Sequence, residues 1–229
     1  MPTSHILPAY VVEMVGVIRT TSKEVGTSST PRDGENTSLE FELRPWVVAP
    51  EPSKADVEEL RRQRVACGWY ADRIPIWEQE IRNGTRYIWL IHVRTPTGLT
   101  EIAGMISLNL YDPTDPSLAN FRAPGSLAGD RAEVSLIFIY PKYRGRGILG
   151  AASRRVEQKA AELGVTTATG NTMARSEKLR IYEGMGYQQY KPVEKIYDSQ
   201  EMSALGFGEE HCYAAFIEKK IYPPRQYRL

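Results

Sequence analysis

Between Glu133 and Gly150 the chain reads Glu-Val-Ser-Leu-Ile-Phe-Ile-Tyr-Pro-Lys-Tyr-Arg-Gly-Arg-Gly-Ile-Leu-Gly, and no other stretch constrains the fold as much. The apolar run Val134 to Tyr140 is rich in β-branched and aromatic side chains, the pattern of a strand buried on both faces. Pro141 closes it, because proline brings no N–H to a central ladder. After Arg144-Gly-Arg-Gly147 the period changes. Ile148, Ala152, Val156, Ala160 and Leu163 recur every three or four residues, with Arg154, Arg155, Glu157, Gln158 and Glu162 between them. Gly164 falls where a helix ends. The stretch reads strand, glycine turn, helix.

That order has a chemical use. The first N–H groups of a helix lack intrahelical partners, and the helix dipole makes that end partly positive. Glycines ahead of it allow close approach of a phosphate or pyrophosphate. The same glycines also serve to make a tight turn, and the residues alone leave both readings open. The spacing excludes two other phosphate loops. There is no G-x-x-x-x-G-K-S/T, and no G-x-G-x-x-G with an acidic residue at the distance a dinucleotide fold needs.

The stretch resembles motif A of the GNAT acetyltransferase superfamily, a strand ending in proline, then Q/R-x-x-G-x-G/A, then a helix. Arg144 and Gly147 fit, while Leu149 stands where Gly or Ala is usual and Gly150 comes one residue later. Leu179-Arg-Ile-Tyr-Glu-Gly-Met-Gly-Tyr187 is similar to motif B, a helix carrying a tyrosine, then glycine and an aromatic. The resemblance covers the chain from about Leu39 to its end. It implies an α/β (α+β) fold with a mixed, mostly antiparallel central sheet and helices on both faces.

It also implies a site for acetyl-CoA. The turn Arg144, Gly145, Arg146, Gly147, Ile148, Leu149 and Gly150 then grips the pyrophosphate. Backbone groups of Ile137, Phe138 and Ile139 bond the pantetheine, and an N–H near Ile137 meets the thioester carbonyl. Glu133 becomes the base that deprotonates an ammonium, Tyr182 the acid that protonates the leaving thiolate, and Asn171 a cofactor contact. Without the resemblance, Glu133 reads equally as half of a salt bridge and Tyr182 as a buried helix tyrosine. The implied activity is transfer of an acetyl group to a primary amine in a ternary complex, with a small-molecule acceptor. The alternatives are a non-catalytic acyl-CoA-binding module and a protein or peptide acetyltransferase.

Earlier in the chain, residues 1–38 read as an extension, with a strand at Ala9 to Ile18 and a mobile linker from Thr20 to Ser38. The domain then runs from residue 39 to 229. Leu39, Phe41 and Leu43 alternate with charged residues in a half-buried strand stopped by Pro45. Ser53 caps a helix whose apolar side is Val57, Leu60 and Val65, and which Gly68 ends. Residues 71–83 form a second helix anchored by Ile74, Ile76, Trp77 and Ile81. Trp69, Tyr70 and Trp77 are candidates for the acceptor side. Strands come next at Tyr87 to Val93 and Ile102 to Leu110, then a loop at 112–129. Further strands are expected at Val165 to Ala168, Tyr187 to Lys191 and Tyr213 to Ile221, with the motif B helix from Ser176 to Gly184.

Charge narrows the partners. With 29 basic and 28 acidic residues the net charge is +1, and no basic block occurs. A single Tyr143-Arg-Gly-Arg-Gly147 in an apolar setting is no RNA-binding segment, so nucleic acid is excluded as a partner. Two cysteines and three scattered histidines give no metal-ligand spacing. No signal peptide and no run of about 18 apolar residues are seen. The expectation is a cytoplasmic protein, monomer or homodimer, that binds no metal.

Overall fold

A computed structural model describes residues 18–19, 40–68, 71–110, 130–174, 177–204 and 206–222. Among them the elements run in the order β1 (Ile18–Arg19), β2 (Phe41–Pro45), α1 (Lys54–Ala66), α2 (Ile74–Arg82), β3 (Arg86–Arg94), β4 (Thr100–Leu110), β5 (Arg131–Ile139), α3 (Ile148–Glu162), β6 (Thr167–Met173), α4 (Lys178–Gly184), β7 (Gln188–Lys195), α5 (Ser199–Ala204) and β8 (Tyr213–Lys220). The strands form one sheet in the order β1-β2-β3-β4-β5-β6-β8-β7. Among the described residues β5 and β6 are its parallel pair and the other neighbours are antiparallel.

Helices cover both faces. On one, Ile148, Ala152, Val156 and Ala160 of α3 pack with Trp89, Ile91, Ile106, Leu108, Ala132 and Val134. On the other, Leu60, Ile74 and Trp77 of α1 and α2 pack with Ile88, Leu90, Met105 and Phe138. The central strands β3, β4 and β5 feed both clusters because their side chains alternate between faces.

The organising strand breaks that alternation. Met105 pairs with Phe138 and Ser107 with Ser135, so Leu136 and Ile137 together oppose Ile106. Leu136 takes a left-handed conformation, φ 50°. This is a β-bulge, and it reverses the facing of the residues beyond it. Ala132 and Val134 face α3, whereas Phe138 joins the α1 and α2 cluster and Ile139 the α3 cluster. Gly104 makes room for the bulged strand, since a Cβ there would sit 2.0 Å from the Phe138 carbonyl oxygen.

Several expectations need correction. Val65 is 69% exposed, not part of the apolar side of α1. The buried residues of that helix are Glu59, Leu60, Gln63 and Arg64. At 3.6 residues per turn, Val65 lies about 140° around from Leu60. Ile76 is likewise exposed while Ile74 and Trp77 are buried. The strand expected at Val165 runs instead from Thr167 to Met173, because pairing with β8 begins at Thr167 with Lys220. Pro45 ends β2 from inside, paired with Trp89. Ser53 caps α1 as expected, its hydroxyl accepting from the Asp56 N–H at 3.4 Å. Of the expected N-terminal strand, Ile18 is described, pairing with Leu43. Trp69, Tyr70, the 112–129 loop and nearly all of residues 1–38 lie outside the described residues.

Candidate active site

The parallel pair β5 and β6 is short. Its register runs Arg131 with Thr167, Ala132 with Ala168, and Glu133 with Thr169, and goes no further. Beyond Glu133, β5 turns into its bulge, while β6 continues along β8 to Met173. The two strands therefore part and open a cleft of about 460 Å³. Val134 to Ile137 line one side, Asn171 to Met173 the other, and Tyr182 of α4 closes part of it. Arg64, Arg73, Trp77 and Glu80 enter from α1, α2 and the turn before α2, and Ile196, Tyr197 and His211 from the chain between β7 and β8.

Register alone puts a row of polar side chains at the fork. Arg86 of β3 stands opposite Asn109 of β4, Asn109 opposite Glu133, and Glu133 opposite Thr169. All four are buried. Glu133 is 8% exposed, and its Oε1 accepts from Asn171 Nδ2 at 3.0 Å. Burial pushes the Glu133 carboxyl above its ordinary value; the Arg86 charge and hydrogen bonds from Asn109 and Asn171 pull it partway back. Arg86 is itself held by an ion pair with Glu80 and donates to Ser107 Oγ at 3.1 Å. Ser107 and Ser135 share a 3.0 Å hydrogen bond. Glu133 is therefore not half of a direct salt bridge among the described residues; its partners are amides.

Tyr182 sits across the cleft, edge-on to Tyr187 at 5.9 Å between ring centroids. Burial first, and the nearby Glu133 charge second, push its phenol up to about 12. It is thus a neutral O–H throughout the physiological range. Asn171, expected as a cofactor contact, lines the same cleft and donates from Nδ2 to Glu133.

The glycine turn behaves as its sequence suggests. Gly145 and Gly147 have φ of 72° and 73°, values that favour glycine. A Cβ at either position would meet nothing within 4 Å. Gly147 caps α3 with no side chain, and the first helical bond runs from the Ala151 N–H to the Gly147 carbonyl. The N–H groups of Ile148, Leu149 and Gly150 have no intrahelical partner. Ile148 is buried, and Leu149 packs its side chain against the same core. Arg144 donates from Nε to the Ile139 carbonyl at 2.9 Å, which ties the turn to the end of β5. Arg146 is exposed. Ile137 and Leu136 have no register partner on either neighbouring strand.

Asn109, Arg86 and Arg64 are site residues that the sequence did not single out. Ser107 and Asn109 alternate with Ile106 and Leu108, which reads as a solvent-facing edge, yet both are buried. Polar residues inside an otherwise central strand were the available signal. Cys67 and Cys212 are free thiols. Among the described residues no helix is long and apolar enough to cross a membrane, and no group of three His, Cys, Asp or Glu is placed to hold a metal ion.

A bulged strand parting from its parallel neighbour, with a glycine turn running into a helix beside the fork, agrees with the fold that the motif A and motif B resemblance implies. The chain belongs to the acetyltransferase (GNAT) family, whose model matches residues 54–187, more than half of its length. No curated protein sequence matches it. Solved structures share the fold at low identity. Arabidopsis thaliana NAA60 in complex with a bisubstrate analogue is 16% identical, with a TM-score of 0.57 over 80% of this chain and 99% of that one. The spermidine N-acetyltransferase from Vibrio cholerae, in complex with CoA and spermine, is 10% identical, with a TM-score of 0.55 over 81% and 97%. Ard1 from Thermoplasma volcanium is 13% identical, with a TM-score of 0.53 over 79% and 97%.

Proposed function

We propose that the protein is an acetyl-CoA-dependent N-acetyltransferase that moves an acetyl group directly to the primary amine of a small molecule. The observation that carries this reading is that a buried carboxyl of raised pKa, Glu133, and a neutral phenol, Tyr182, line one cleft beside the fork. A binding module has no use for that pair.

The residues fit the cofactor. The open cradle over Gly145 and Gly147 and the free N–H groups of Ile148, Leu149 and Gly150 suit a pyrophosphate, with Arg146 adding positive charge. On the side where the strands part, backbone groups of Ile137, Phe138 and Ile139 are the partners in this reading for the pantetheine arm, the Ile139 carbonyl also accepting from Arg144. Acetyl-CoA supplies an acetyl thioester, an activated acyl group. The rest falls to the chain. An alkylammonium has a pKa of about 10, so it must lose a proton before it attacks. Glu133, directly or through water, takes that proton, and its raised pKa makes it a better base near neutrality than an ordinary carboxylate. Leu136 and Ile137 lack register partners at the bulge, and an N–H near Ile137 is the donor in this reading for the negative charge that develops on the carbonyl oxygen, where one such donor is worth about 3 kcal/mol. Tyr182 holds a proton for the leaving sulfur. Asn171 and Asn109 orient Glu133.

The test is free-thiol release from acetyl-CoA across a panel of amines, amino acids, polyamines and peptides. Acceptor-dependent release that falls by roughly 10² or more in Glu133→Gln supports the reading. Thermal stabilisation by acetyl-CoA with no release on any acceptor replaces it with the binding module.

A further inference from the structure

The proposed transfer gives Arg64 no task, yet Arg64 is the most unusual charge in the cleft. It projects from α1, is 7% exposed, and lines the cavity. Its side chain makes no hydrogen bond or ion pair among the described residues, and its Nε is buried without an acceptor. Its neighbours do not compensate it. The Cys67 thiol, the Tyr197 phenol and the Arg86 guanidinium are the titratable groups in its field, and none is a carboxylate. Glu80, the acid of α2 that lines the cleft, is committed to Arg86. Burial pushes the Arg64 guanidinium down from its usual value, but a guanidinium remains charged in proteins. A buried charge without a partner is strongly unfavourable.

The guanidinium is also held in place. It lies over the Trp77 ring, 5.2 Å from the centroid. With one face against an aromatic, its N–H edges remain, and those edges match the two oxygens of a carboxylate. Arg73 and Lys178 line the same cleft and likewise have no ion pair among the described residues. The acids there are Glu80, already paired, and Glu133, satisfied by amides. Arg64 and Glu133 line the same cleft, with Arg86 of β3 also in its wall.

We propose that the acceptor is a small anionic amine, an amino acid or similar compound, whose carboxylate is bound by Arg64 while its amine is presented to Glu133. The proposal rests on the acetyl-transfer reading above and names its substrate class. A polycation in this cleft leaves Arg64 uncompensated and adds like charge to Arg73 and Lys178, so it is selected against. A cavity of about 460 Å³ is in the size range of small-molecule sites.

The experiment pairs each of several α-amino acids with its own carboxamide, and adds spermidine as a polycation. The carboxamide has the more acidic ammonium and is intrinsically the readier nucleophile, so any preference for the carboxylate comes from the site. The expected result is a kcat/KM preference for the carboxylate on the order of 100-fold, collapsing to near unity in Arg64→Gln and partly retained in Arg64→Lys. Stabilisation of Arg64→Gln by acetyl-CoA checks that the variant folds. Turnover with no carboxylate preference, or with spermidine favoured, overturns the proposal while leaving the transferase reading intact. A binding arm separates the two ideas in the other direction. N-acetylglycine and N-acetylglycinamide are titrated into wild type and Arg64→Gln, and the Arg64 Nε–H resonance is followed by NMR. A shift specific to the carboxylate supports the anion site even if no acceptor turns over, and its absence overturns it.

Discussion

Asn171 donates from Nδ2 to Glu133 Oε1 at 3.0 Å, bridging β5 and β6 two residues past Thr169, the last register partner of Glu133. The bond favours the charged form of the carboxyl and so works against the burial that raises its pKa. Asn171→Ala removes that support and is expected to move the acid limb of the kcat/KM profile to higher pH. Activity near neutrality then falls, and recovers at alkaline pH. A uniform loss of rate with the limb unmoved would show that Asn171 is structural and does not tune Glu133.

The same burial makes a prediction about stability. The folded pKa of Glu133 lies above its unfolded value, so the fold binds the proton more tightly than the unfolded chain does. Its contribution to stability is present below the unfolded pKa and is lost as pH rises through the folded pKa. Glu133→Gln keeps the shape and removes the charge. The variant is expected to melt higher than wild type at pH 8, with the difference vanishing below about pH 4.5. This is the usual exchange of stability for function at a site. Equal melting temperatures at both pH values, or a less stable variant at pH 8, sink the idea that Glu133 is a net burden on the fold.

With its phenol pushed up to about 12, Tyr182 keeps its proton through the assay range. Tyr182→Phe is expected to lower kcat by about 10²-fold, with KM for the amine little changed. No basic limb attributable to Tyr182 should appear below pH 10 in wild type. A limb near pH 9 that disappears in Tyr182→Phe would place the phenol in a different environment from the one described.

Three glycines in or near the site should respond differently to alanine. Gly104→Ala forces a Cβ against the Phe138 carbonyl, with 2.0 Å available and the nearest atoms all backbone. A loss of about 3 kcal/mol or more is expected. Gly147→Ala meets no atom but must hold φ 73°, costing about 1–2 kcal/mol. It should also weaken acetyl-CoA binding, because the new methyl group fills the cradle. Gly150→Ala lies within α3, where the nearest atom to a Cβ is Arg154 Nη1 at 3.6 Å. It should be neutral or stabilise by up to about 1 kcal/mol. Denaturant melts, with calorimetric titration of acetyl-CoA, check all three.

Much of this was legible in the sequence where a local rule acts. The strand, the glycine turn and α3 can be read from a change of period and from Gly145 and Gly147, and the helix stripe from Ile148 to Ala160 is buried as read. The bulge was not legible. Leu136 at φ 50° is an apolar residue in an apolar run, and its conformation is set by pairing across β4. The polar row was hidden for a related reason. Arg86, Asn109 and Glu133 are far apart in sequence, and only register brings them together. Arg64 was hidden by its type, since a helix arginine reads as solvated until tertiary packing buries it.

Helix α1 gives the sharpest test of where periodicity misled. Its sequence offers Val57, Leu60 and Val65 as one apolar face, yet Leu60 is fully buried and Val65 is 69% exposed. The buried face instead includes Glu59 and Gln63, with Glu59 Oε1 accepting from Gln63 Nε2 at 2.9 Å and from the Tyr140 hydroxyl at 3.0 Å. Leu60→Ala should therefore cost about 2–5 kcal/mol, through lost burial and the cavity left behind. Val65→Ala should change stability by less than about 0.5 kcal/mol, or improve it slightly through alanine's higher helix propensity. Chemical denaturation of both variants measures the difference directly. Comparable losses at the two positions would mean that α1 is rotated about its axis, with Arg64 turned out of the cleft and the carboxylate site gone with it.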